Sequence, residues 1–139
     1  MVRDADGQTG RVLIAAAVAA VLAALLHVLF FAYESVLFDR PAVHARFRTA
    51  TEDVPAVRPW ARNQGFYNLF LAIGTLVGVA IALAGTQDVG LALVLFGCGS
   101  MLAAALVLIS TDRRMARAAA TQGVFPALAV IFALVALVG

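Results

Sequence analysis

The chain has 139 residues, of which 63% are hydrophobic and 13% charged, against roughly 45–50% and about 25% in an average protein. A soluble domain of this size has too much surface for its volume to hide that much apolar area. Together with a mean hydropathy of +0.98, the composition excludes a soluble enzyme, a disulfide scaffold and a disordered chain. It marks an integral membrane protein. The net charge is +2 and every basic residue is an arginine. Most of these arginines lie in two short segments between apolar stretches. They lack the interleaved aromatics or long basic face of a nucleic-acid surface, so no nucleic-acid partner is expected.

The first apolar stretch runs from Val12 to about Phe38. At about 1.5 Å per residue it reaches about 40 Å, more than a hydrocarbon core of about 30 Å, so it must tilt or project. It is too long for a signal-peptide core and leads into no polar mature domain, so an uncleaved helix is expected. His27 and Glu34 lie on it, seven residues apart. Seven α-helical steps return to within about 20° of the start, which puts both on one face, roughly 10 Å apart.

Asp39 to Arg62 is the one long polar segment, with five arginines and Pro41, Pro55 and Pro59. Prolines at these spacings interrupt a long helix. A short interfacial helix over about Val43–Thr51, with Trp60 at the headgroup level, fits the pattern. The second span is expected over about Gly65–Ala84. Asn63 and Gln64 open it, and Tyr67 and Asn68 follow one turn later on matching faces. Gly74, Gly78 and Ala82 form a small-residue step suited to close helix packing.

Gly85 to Asp88 reads as a tight turn, and the third span covers Val89–Ile109, closed by Ser110 and Thr111. Gly97, Gly99 and Ala103 supply its small face. Cys98, the single cysteine, excludes an intrachain disulfide and reads as a small packing residue. Asp112, Arg113, Arg114 and Arg117 make the third connection. The fourth span runs from about Thr121 to Gly139, with Gln122 at its opening and Pro126 kinking it or closing its first turn.

The expected fold is therefore an all-α bundle of four transmembrane helices in one membrane domain, with both termini on the same side. The first and third connections carry eight arginines, and the opposite side only Arg3 and Arg11. That bias sets the connections in the cytoplasm and the termini outside, in a cytoplasmic membrane.

On that topology Glu34, Asn63, Gln64, Asn68, Ser110, Thr111 and Gln122 share one third of the membrane, while His27 lies deeper. The outer halves are Ala, Leu, Val and Gly. One reading makes these groups caps and interfacial residues, with Asn63 capping the second helix. The other makes them a pocket. Asn68 and His27 favour the pocket, because both lie too deep to cap. In it Glu34 is the proton-active group and His27 the floor. Asn63, Gln64, Tyr67, Asn68 and Gln122 orient a small apolar or amphipathic ligand.

Glu34 and His27 are also the candidate catalytic pair, able to move a proton on an apolar substrate as in a double-bond isomerisation. A metal is not expected, since His44 and Cys98 stand at no ligand spacing, and no cofactor is implied. Two other classes stay open. Four short helices with one embedded acid are similar to the small multidrug resistance exporters, which exchange protons for cations as dimers. The small-residue faces would equally suit a homo-oligomer or an accessory subunit of a larger membrane complex. Membrane lipid is a partner in every case.

At the second span the residues become specific. Asn63-Gln64-Gly65-Phe66-Tyr67-Asn68-Leu69-Phe70-Leu71-Ala72-Ile73-Gly74 resembles the signature of a family of small bacterial membrane proteins catalogued as domain of unknown function thirteen-zero-four. The resemblance implies four helices over nearly the whole chain. It also picks out a His and a Glu on the first helix, here His27 and Glu34, and a Gln-Gly element followed by Pro, here Gln122, Gly123 and Pro126. It implies no reaction.

Overall fold

A computed structural model describes the backbone of residues 2–138 and the side chains of residues 7–138. The elements in order are α1 (Val2–Phe31), a π-helical turn (Ala32–Val36), α2 (Pro41–His44), α3 (Val54–Leu83), α4 (Gln87–Thr111) and α5 (Ala116–Val138). Single 3-10 turns at Ala45–Phe47, Thr51–Asp53 and Arg113–Met115 fill the connections. No strand occurs among the described residues. Arg3, counted above with the outer charges, lies outside the described side chains.

α1, α3, α4 and α5 are each long and apolar enough to cross a membrane. α3 and α5 each lie between α1 and α4, which face one another across the diagonal. Neighbours run antiparallel, as short connections require. The buried residues recur every three or four positions, for example Ala16, Ala20, Ala23 and His27 on α1 and Gly123, Pro126, Ala129 and Ala133 on α5. That is the spacing of one helix face. Most are small, whereas Phe96, Val107, Phe70 and Ile14 are more than half exposed. Large residues outside and small ones inside suit helices in lipid, where association depends on close backbone approach.

The turn between α3 and α4 follows from one glycine. Gly85 has φ +108°, a left-handed conformation that favours glycine. There its N–H donates to Ala82 O at 3.4 Å and that of Thr86 to Ile81 O at 3.2 Å. These bonds close the last carbonyls of α3 as a Schellman motif.

Several boundaries differ from the sequence reading. α3 starts at Val54, not near Gly65, so the prolines do not interrupt it. Pro55 sits in the first turn, where an N–H has no helical partner anyway. Pro59 removes only the bond to the carbonyl of Pro55, still at the helix start. The early start places Asn63 well inside the helix, so it is not a cap. The expected interfacial helix over Val43–Thr51 is a single α-turn and a 3-10 turn, ended by Arg48 at φ 57°. The glycine step also divides. A Cβ on Gly78 would press on Gly90 O and Leu93 Cβ, both at 2.8 Å, whereas Gly74 and Gly99 have nothing within 4 Å.

Candidate functional site: a polar cavity beneath the arginine-rich connections

Glu34 lies on the π-helical turn, where the Leu37 N–H reaches back five residues to Ala32 O at 2.9 Å. A π turn accommodates one extra residue per turn and recurs at functional sites. Glu34 stands two turns further along the helix than His27. Glu34 lines a cavity of about 950 Å³, and His27 is not among its lining residues.

α3 is shaped to receive this turn. A Cβ on Gly65 would collide with Ser35 Oγ and stand 3.1 Å from Glu34 Cβ and 3.2 Å from the Ser35 nitrogen. Only glycine lets the two backbones come this close. The contact is pinned by Ser35 Oγ donating to Arg62 O at 3.0 Å and by the rings of Phe31 and Phe66, 5.2 Å apart edge-to-face. One turn beyond Gly65, Asn68 is buried and its Nδ2 donates to Glu34 Oε2 at 2.7 Å. The short segment from Asn63 to Asn68 thus contains both the seat for the π turn and the partner of its carboxylate.

The cavity opens between the ends of all four long helices. Gln64 and Asn68 of α3, Thr111 of α4 and Gln122 of α5 reach it beside Glu34. On α5, Gly123 packs closely against α4, since a Cβ there would stand 3.1 Å from Ala105 Cβ. Pro126 has no N–H to return to the carbonyl of Gln122, four residues earlier. This leaves a backbone acceptor beside the cavity without its helical donor.

Phe30, Val107, Leu108 and Met115 give the wall apolar surface, and Arg46, Arg48, Arg114 and Arg117 line it as well. Asp112 joins the two connections above. It accepts from Arg48 Nη1 at 3.5 Å and from Arg114 Nε at 3.0 Å, and the Arg114 guanidinium holds its carboxyl below the usual carboxylate range. Arg58, near the start of α3, pairs with Asp39 of the first connection. Arg46 lies over the Tyr33 ring, 5.4 Å from its centre.

Three sequence assignments change. Tyr67 is 58% exposed and points away from the cavity, because its position on α3 is one residue off the face of Asn68. Asn63 is exposed and does not line the cavity either. His27, expected at the floor, is fully buried, and its Nδ1 donates to Ala23 O at 2.9 Å. Its Nε2 has no hydrogen-bond partner among the described residues, and its ring meets Phe30 edge-to-face at 5.4 Å. Phe30, one turn later, does line the cavity. The arginines were visible in the sequence only as topology signals. That they share one side with Glu34 was the clue to their place in the wall. Among the described residues, no three His, Cys, Asp or Glu side chains converge as metal ligands would.

Fold and site together define a class: a multi-pass, all-α membrane protein of four spans with a polar cavity at one end. A family model described as "Protein of unknown function (DUF1304)" matches residues 21–134, and the chain belongs to that family. The match leaves residues 1–20 and 135–139 outside it, a narrower extent than the nearly whole chain expected from the sequence. The matched span contains Glu34, the segment from Asn63 to Gly74, and Gln122 to Pro126. No curated protein and no solved structure matches the chain.

Proposed function

We propose that this protein binds a small apolar or amphipathic molecule in the cavity, entering from the leaflet beside the arginine-rich connections, which the charge bias assigns to the cytoplasmic side of a cytoplasmic membrane. The observation that carries the reading is the Glu34–Asn68 hydrogen bond at the cavity wall. A carboxyl group within a membrane span is costly, and such groups face a cavity or a partner rather than lipid. A helix bundle has no packing need for one here, since most of the interior is Ala, Gly and other small residues, with apolar Leu91 and Met101 among the larger ones. Gln64 and Gln122 flank the pair and offer further donors and acceptors to a bound molecule. Conversion of the ligand would use Glu34 as the proton-active group.

The test is native mass spectrometry of the protein in nanodiscs, wild type beside Glu34→Gln and Asn68→Ala. A discrete adduct on the wild type that both variants lose supports the reading. Absence of any adduct, with all three proteins folded, overturns it in favour of a purely structural polar cluster.

A further inference from the structure

We infer that the cavity selects an amphiphile with an anionic head, a phosphate or carboxylate on an alkyl chain, and that Arg46, Arg48, Arg114 and Arg117 bind that head. This deepens the binding reading above and rests on it.

The arginines come from distant parts of the chain. Arg46 and Arg48 belong to the first connection, Arg114 to the turn before α5, and Arg117 to the first turns of α5. A bias set by topology alone requires arginines on one side of the membrane, but not their convergence on one cavity. Here residues separated by about seventy positions in sequence line the same wall. Glu34 is the single acidic side chain among the lining residues, and its Oε2 is already engaged by Asn68. The cavity therefore carries an excess of positive charge.

The donors are also available. A guanidinium presents five N–H groups in a planar fork that matches carboxylate and phosphate oxygens. Arg114 uses Nε and Nη2 on Asp112, and Arg48 uses Nη1. Asp112 thereby fixes both side chains while leaving most of their donors unused. Arg46 is held by the Tyr33 ring rather than by a carboxylate. Arg117 has no hydrogen-bond or ion-pair partner for its guanidinium among the described residues. Below them, Phe30 and Leu108 offer the apolar surface that an alkyl chain needs and a free inorganic ion does not.

Isothermal titration of the full chain in neutral maltoside micelles at low salt tests this, with four probes: dodecyl phosphate, dodecanol, dodecyltrimethylammonium and inorganic phosphate. Dodecyl phosphate is expected to bind saturably, about tenfold or more tightly than dodecanol. Inorganic phosphate should bind far more weakly, for want of the chain. Arg117→Gln and the Arg46→Gln/Arg117→Gln pair should lose about tenfold or more for dodecyl phosphate and leave dodecanol unchanged. Arg40→Gln, outside the cavity wall, should match wild type throughout. Should Arg46→Gln unfold the chain, Arg117→Gln alone decides, because its guanidinium supports no other described side chain. Dodecanol or the ammonium probe binding as tightly as dodecyl phosphate would overturn the head assignment and leave the binding reading standing. Inorganic phosphate matching dodecyl phosphate would overturn the amphiphile and make this a site for a free anion. Failure of every probe would sink this inference, and the adduct experiment on Glu34→Gln and Asn68→Ala would then decide the binding reading by itself.

Discussion

The two ends of the bundle are built from the same helices and behave differently. At the end with the Gly85 turn, α3 and α4 come into backbone contact. Gly90 lies so close to α3 that a Cβ there would fall on Gly78 O and Ala82 N, and 2.6 Å from Ala82 Cα. Gly97 is similarly pressed by Thr75 Oγ1. At the other end Phe30, Met115 and the arginines line a cavity of about 950 Å³. Small residues close one end. The π turn, seated on a single glycine, brings a carboxylate into the other. A bundle of nearly uniform hydrophobicity thus acquires a tightly packed half and a half that holds a cavity with polar residues in its wall.

The largest effect should come from closing what is already closed. Gly90→Ala drives a methyl into backbone that cannot rotate away, and about 3 kcal/mol or more of destabilisation is expected. Gly74→Ala and Gly99→Ala, with open space around them, should be neutral or stabilise by up to about 1 kcal/mol through helix propensity. Thermal or denaturant unfolding in detergent separates the three. Equal losses in all of them would show that the packed glycines do not distinguish the two ends.

Gly65→Ala is next. It should push the π turn off α3, costing about 1–3 kcal/mol and disturbing the cavity while the Gly85 end stays intact. Adding Ser35→Ala removes the nearest clash and should restore part of the loss. A double-mutant cycle that shows no coupling between positions 65 and 35 would contradict the close approach.

Asn68→Ala should cost about 1–3 kcal/mol by leaving Glu34 without its donor. In Glu34→Leu the same change should cost much less. Hydrogen exchange of residues 30–38 reads this locally, and unchanged protection in Asn68→Ala would argue against the bond as an anchor of the turn.

The smallest effect concerns the tie between connections. The Asp112 carboxyl is held below its ordinary range in the folded protein by Arg114. Its contribution is therefore complete above the ordinary carboxylate pKa and lost as pH falls through the lower folded value. Proteolysis of the segment 112–115 should quicken under such acid conditions or in Asp112→Asn, and quicken in salt as well, since the pair is exposed. No change under any of the three would remove Asp112 from its role in ordering the arginines.

Much of this architecture is legible in composition. Four apolar stretches of sufficient length can only become helices in lipid, because every backbone group must bond within its own segment. Their even number puts both ends of the chain on one side. The polar belt through Glu34, Asn68 and Gln122 could likewise be located by counting residues from the span ends. Counting along an ideal helix fails where the helix is not ideal. It put His27 at the floor of the pocket with Glu34, whereas the cavity wall includes Glu34 and Phe30 but not His27. It ended the first connection near Gly65, whereas Pro55 and Pro59 are tolerated at the start of α3. It grouped Tyr67 with Asn68, and a step of one residue turns one outward and the other inward.

By itself, then, the sequence determined the number of spans, the end at which the polar and basic residues gather, and the composition of the interior. Those depend on length, hydropathy and charge, which are properties of each segment alone. Only the tertiary structure decided that Asn68 meets Glu34, that Gly65 seats the π turn, and that arginines from two distant segments share one cavity. These are contacts between segments distant in sequence, and they depend on the rotation of each helix about its axis. Helices that are apolar on every face carry almost no periodic record of that rotation.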